Sequence, residues 1–177
     1  MHLIDGNLVI RNATSVDAGT LCNWWNDGKI MAHAGFPHGL GTTAGKVALE
    51  LASDDGDKGR RLILEIDSLP VGEMNYRNKG DKIAEIGIKI CDTGKQDKGF
   101  GSRFLRMLID SLFNEMGYEK ITLDTNLSNV RAQHVYEGLG FKKVATILNS
   151  WRDQVGELQS SVDYALTRGE YSNRKPS

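Results

Sequence analysis

At 177 residues with a formal net charge of −1, the chain is sized for one domain and lacks the strong positive charge of a general nucleic-acid binder. Its composition, 40% hydrophobic and 25% charged, is that of an ordinary globular protein. No apolar run approaches the ~20 residues of a membrane span, and the opening MHLIDGNLVIR has no signal-peptide pattern.

Leu8–Arg11 reads as a first strand, and TSVDAGTLCNWWND (14–27) as a helix with Thr14 or Ser15 at its N-cap and Asp17 in its first turn. The glycine- and histidine-rich stretch 29–41 reads as a loop, and 42–53 as a second helix despite Gly45. Strands at Arg61–Ile66 and Val71–Tyr76 are joined through DSLP, and a third follows at Ile83–Cys91. Residues 102–116 carry a helical stripe of Leu105, Leu108, Ile109, Leu112 and Met116, closed by Gly117. Then come a strand at Lys120–Asp124, a helix at Asn129–Glu137, and strands at Phe141–Trp151 and Gln159–Thr167 around a DQVGE turn. The expected organisation is one domain over residues 1–168, with a frayed tail over 169–177.

The stretch KQDKGFGSRFLRML (95–108) places Gly99 and Gly101 where the long helix begins. Glycine weakens a helix by roughly 0.5–1 kcal/mol against alanine, so its presence there needs a reason. The first turn of a helix has four unpaired N–H groups and a positive dipole end, and glycines let an anion approach them. A Walker A loop does not fit, because Gly94-Lys95 is followed by Gln96. A dinucleotide fingerprint fails as well, since Phe104 stands where the third glycine belongs.

Gln96-x-x-Gly99-x-Gly101 resembles the pyrophosphate loop of the GNAT superfamily of N-acetyltransferases. NVRAQHVYEGLGF (129–141) resembles that family's second motif through Asn129, Ala132, Tyr136, Gly140 and Phe141. AEIGIKI (84–90), the opening LVIRNATSVDAGTLCNWWND and the closing SVDYALTRGEY are similar to the branch of ribosomal-protein Nα-acetyltransferases and polyamine acetyltransferases. Gly138 departs from the pattern and leaves the local helix end open.

The resemblance implies an α+β fold, a mixed and mostly antiparallel sheet of about seven strands flanked by about four helices. It also implies acetyl-CoA as donor, with no metal. The pyrophosphate would lie on Gln96, Asp97, Lys98, Gly99, Phe100, Gly101 and Ser102, and two strands would part after Ile88 and Asp124 to admit the pantetheine arm. The Ile88 amide would polarise the thioester carbonyl, and Asn129 would hold the pantetheine, cap its helix, or do both. Tyr136 would protonate the leaving thiolate, or else be a core tyrosine. Glu85 is a candidate base for the attacking amine, or an ion-paired surface carboxylate. Cys91 could carry the acetyl group covalently, although the family transfers it directly.

Trp24, Trp25, His33 and Phe36 are candidates for the acceptor pocket; one tryptophan would line it, or cap the sheet edge instead. The acceptor would be a primary amine: a peptide N-terminus, a polyamine, an aminoglycoside or a small metabolite. A non-catalytic acyl-CoA sensor on the same fold is the alternative. Cys22 and Cys91 form no CxxC pair, which points to a reduced, cytoplasmic setting. A homodimer is common in the family, but no feature of the sequence requires one, and neither nucleic acid nor membrane is expected as a partner.

Overall fold

The computed structural model describes residues 1–173. Eight strands form one sheet: β1 (His2–Asp5), β2 (Leu8–Asn12), β3 (Gly59–Ile66), β4 (Leu69–Asn78), β5 (Ile83–Ile90), β6 (Lys120–Asn126), β7 (Lys142–Arg152) and β8 (Leu158–Thr167). Their spatial order is β1-β2-β3-β4-β5-β6-β8-β7. Every neighbouring pair is antiparallel except β5 and β6. The helices are α1 (Ala18–Asn26), α2 (Gly28–Met31), α3 (Ala44–Ala52), α4 (Phe100–Asn114), α5 (Val130–Leu139) and α6 (Arg168–Ser172).

This is the expected α+β architecture with one more strand and two more short helices. The added strand is β1, which folds back on β2 around Gly6 at φ 60°. Its side chains are mostly exposed, so it carries no apolar alternation to announce it. α2 interrupts the expected loop, with the Asp27 carboxylate accepting the Lys29 N–H at its start. α6 lies where a frayed tail was expected. Thr167 and Glu170 form a capping box at its start, Tyr171 is buried against Phe113, and Glu170 pairs with Lys142 of β7. Residues 174–177 of that expected tail lie outside the described residues.

The sheet is covered on both faces. On one, α4 and α5 bury Phe104, Leu105, Leu108, Ile109, Leu112 and Tyr136 against alternate residues of the central strands. Met116 drops out of the expected stripe, because α4 ends at Asn114 and Met116 is exposed. On the other face α1 and α3 pack Leu21, Val47 and Leu51 on Ile63. Arg11 anchors the chain there: its guanidinium bonds both Asp17 oxygens (2.7 and 2.8 Å) and Glu65 (2.7 Å). Burial alone would raise the Asp17 pKa, but the bonds from Arg11 and from the Thr14 N–H outweigh it and hold the carboxyl below its ordinary value.

Candidate active site

The site begins where the sheet comes apart. β5 and β6 pair only over Ile83–Glu85 and Lys120–Thr122. β5 then continues along β4 to Ile90, while β6 continues along β8 to Asn126. Each half-sheet follows its own partner, so the gap opens after Glu85 and Thr122, earlier than the expected Ile88 and Asp124. The peptide groups of Ile83 and Cys91 bond residues on the β4 side, at Lys79 and Val71. Strand alternation therefore turns the Ile88 and Ile90 peptide groups toward the gap. The Ile90 carbonyl is already taken there, by the Gln96 side-chain amide at 2.8 Å.

That Gln96 contact fixes the turn leading into α4. Gly99 occupies the N-cap position with φ 77°, a conformation that favours glycine, and a β-carbon placed on it would meet nothing within 4 Å. Among the described residues, no acceptor is recorded for the amides of residues 97–102. A bare, open row of amides at the start of a 15-residue helix fits a diphosphate. Arg131 of α5 braces the turn, donating to Gln96 Oε1 at 3.3 Å and Asp97 Oδ2 at 3.2 Å.

Turn and gap open into one cleft of about 1040 Å³. Of the residues singled out in the sequence, Ile88, Gln96, Asp97, Gly99, Phe100, Gly101, Ser102, Asn129, Tyr136 and His33 line it. Asn129 caps α5, its side chain accepting the Ala132 N–H at 3.2 Å. α5 runs through Gly138 and ends at Gly140 with φ 102°, which closes the question raised by Gly138.

Tyr136 is buried, with ring centroids 6.1 Å from Phe141 and 5.8 Å from Tyr164. Burial, reinforced by the charge of Asp124, pushes its phenol up to about 12. It therefore keeps its proton throughout the neutral range.

Six of the residues singled out in the sequence stand elsewhere. Lys98 belongs to the turn but not to the cleft wall. Glu85 sits before the gap opens, in ion pairs with Arg77 (3.5 Å) and Lys79 (3.3 Å). Trp24 and Trp25 both pack on the α1–α3 cluster. Trp25 reaches the cleft only at second hand, since its indole N–H bonds Glu73, a lining residue (2.9 and 3.0 Å). Phe36 lies in the loop beyond His33, outside the lining. Cys91 is buried, and burial pushes its thiol up to about 12, so no thiolate is present to attack a thioester.

Asp124, Trp151 and Lys89 are among the lining residues to which the sequence assigned no role. Asp124 lies directly across from Asp163 on β8. Burial, with Asp163 and then Glu85 adding like charge, raises its pKa. The period of β6 carried a signal: Ile121 and Leu123 are core residues, which turns Thr122 and Asp124 to the opposite face. Lys89 pairs with Glu73 at 3.0 Å on that same face.

The profile of the acetyltransferase (GNAT) domain matches residues 7–142. The chain belongs to the GNAT acetyltransferase family. It is an acetyl-CoA-dependent N-acetyltransferase, moving an acetyl group to an amine. It is 30% identical over 85 residues to a kanamycin resistance protein of Rhizobium radiobacter, an alignment covering 48% of this chain and 79% of that one. An aminoglycoside N(6')-acetyltransferase type 1 of Klebsiella pneumoniae is 30% identical over 79 residues, 45% of this chain but only 39% of that protein.

Two solved structures share the fold of this GNAT protein at 22% identity. A spermidine N-acetyltransferase from Vibrio cholerae, in complex with CoA and spermine, has a TM-score of 0.82 over 96% of this chain and all (100%) of its own. The aminoglycoside acetyltransferase AAC(6')-Ib, in complex with coenzyme A, has a TM-score of 0.75 over 96% and 99% of the two chains.

Proposed function

We propose that this enzyme acetylates a primary amine of a small, positively charged molecule on the face of the sheet opposite α4. The observation carrying the reading is the short β5–β6 joint beside a turn of unpartnered amides. The amides of residues 97–102 receive the donor's diphosphate, and the free edge of β5 receives the pantetheine arm, so that the thioester lies in the gap. The Ile88 N–H, turned toward the gap by strand alternation, hydrogen-bonds the thioester oxygen as negative charge develops on it. The amine nitrogen bonds to the acetyl carbon and the carbon–sulfur bond breaks. Tyr136 offers its proton to the departing sulfur.

The acceptor has to lose a proton to attack, because an alkyl amine near pKa 10.4 is charged at neutral pH. Asp124 is better placed for that than Glu85, which is engaged by Arg77 and Lys79. The carboxylates of Asp124 and Asp163, facing each other across β6 and β8, favour an acceptor with positive charge. Polyamines and aminoglycosides, the classes named for the relatives, both meet that description.

Isothermal titration with acetyl-CoA, followed by thiol release on spermidine, kanamycin, a peptide α-amine and a simple monoamine, tests the reading. Turnover strongest with the multiply charged amines is expected. Tight acetyl-CoA binding without turnover of any amine would make the protein a sensor.

A further inference from the structure

The acceptor end of the cleft has a wall built by a distant hairpin. In β7, Ile147 lies opposite Ser161 and Trp151 opposite Gln159, so four steps on one strand face two on the other. Asn149 sits in this bulge with φ 53°, its N–H bonded to Ser160 Oγ at 3.0 Å. Bulges re-aim the side chains beyond them, and here Trp151 lines the cleft. Its ring lies over Gly35 so closely that a β-carbon on Gly35 would fall 2.3 Å from Cζ3.

Gln154, in the turn beyond, closes on the same segment. Its N–H donates to the Gly35 carbonyl at 2.8 Å. Its side-chain Nε2 donates to the Gly39 carbonyl at 2.9 Å, and its Oε1 accepts the His38 N–H at 2.9 Å. One carboxamide thus serves a donor and an acceptor on a stretch more than a hundred residues away, a pairing that a carboxylate cannot reproduce. The held segment directly follows the 3-10 turn Ala32–Ala34, whose His33 lines the cleft. That turn also packs on β6.

We propose that Gln154 is a positioning residue for the acceptor. By clasping residues 35–39 it holds Trp151 and His33 as a fixed wall, and this wall selects which amines are turned over. The inference rests on the reading above, that the face opposite α4 receives the amine. Gln154 touches neither substrate; Trp151 is the residue of the pair that meets the acceptor.

The test compares wild type with Gln154→Ala, Gln154→Glu, Trp151→Ala and Trp151→Phe. Amine KM and kcat across the panel are measured beside acetyl-CoA affinity by titration. Both Gln154 variants and Trp151→Ala should raise KM for the best wild-type amine about tenfold, the loss of about 1.4 kcal/mol, and flatten the ranking of the panel. Acetyl-CoA affinity should stay within about twofold, a difference of a few tenths of a kcal/mol. Trp151→Phe should recover most of the ranking by restoring an aromatic face.

Unchanged KM and ranking in folded Gln154→Ala overturns the proposal, as does an equal loss of donor and acceptor binding. Should Gln154→Ala fail to fold, Gln154→Glu and the Trp151 pair decide by the same readouts. Wild type that turns over no amine sinks the underlying reading and this proposal with it; turnover unaffected by Gln154 sinks this proposal alone.

Discussion

Tyr136 and Asp124 both line the cleft, and burial raises the pKa of each. The phenol is pushed up to about 12 chiefly by burial, so it enters any reaction protonated. Tyr136→Phe should lower kcat about 100-fold, the lower end of what a positioned acid contributes. Acetyl-CoA affinity by titration should not move. The Asp124 carboxyl is raised by burial and by Asp163, so it accepts a proton more readily than an exposed aspartate. With Asp124 as base, activity rises as pH climbs through that raised value. Asp124→Asn should flatten this limb of the pH–rate profile and lower kcat/KM at neutral pH. Cys91→Ala should retain full turnover, and mass spectrometry of the wild type with acetyl-CoA alone should find no acetyl-enzyme, because the thiol is held protonated.

In the proposed mechanism the turn before α4 is the element on which donor binding depends. Gln96 ties it to the Ile90 carbonyl and Arg131 braces it from α5. Gln96→Ala removes one such bond, worth about 0.5–1.5 kcal/mol, and should weaken acetyl-CoA binding accordingly while kcat at saturation changes little. This element was legible in advance because its chemistry is local: two glycines, a glutamine and a helix stripe lie within one stretch of sequence. The second motif was legible for the same reason, and α5 starts and ends on its Asn129 and Gly140. For Glu85 the sequence left a base or an ion-paired carboxylate open, because the strand pattern gives its face but not its partners, Arg77 and Lys79. For the two tryptophans it likewise left pocket or sheet edge open, since the partner of one indole, Glu73, lies 48 residues away. Trp151 was invisible because a bulge in β7 aims it, and nothing in the stretch LNSWR marks that bulge.

Across the whole molecule, the two face layers depend on different forces. The α4–α5 face is a large apolar core, whereas the α1–α3 face is smaller and adds the charged cluster of Arg11, Asp17 and Glu65. Asp17 has its pKa depressed in the folded state, so its contribution is present above the ordinary carboxylate value near 4 and lost as pH falls below it. Asp17→Asn should destabilise the fold by about 1.5–3 kcal/mol, the range for hydrogen bonds to charged groups. Its stability, followed by circular dichroism as the pH is lowered, should depend less on pH than that of wild type.

The joint between the half-sheets has a further consequence. Only residues 83–85 of β5 pair with β6, leaving a length of main chain that, in the proposed mechanism, the donor's pantetheine arm would pair with. An occupied cleft would complete the ladder with atoms that are not protein. Deuterium uptake at the Ile88 and Ile90 amides should slow sharply when acetyl-CoA is added, before any amine is present. At a hundredfold excess over its dissociation constant the donor would add about 2.7 kcal/mol to the fold, so the enzyme would be sturdiest when poised to react.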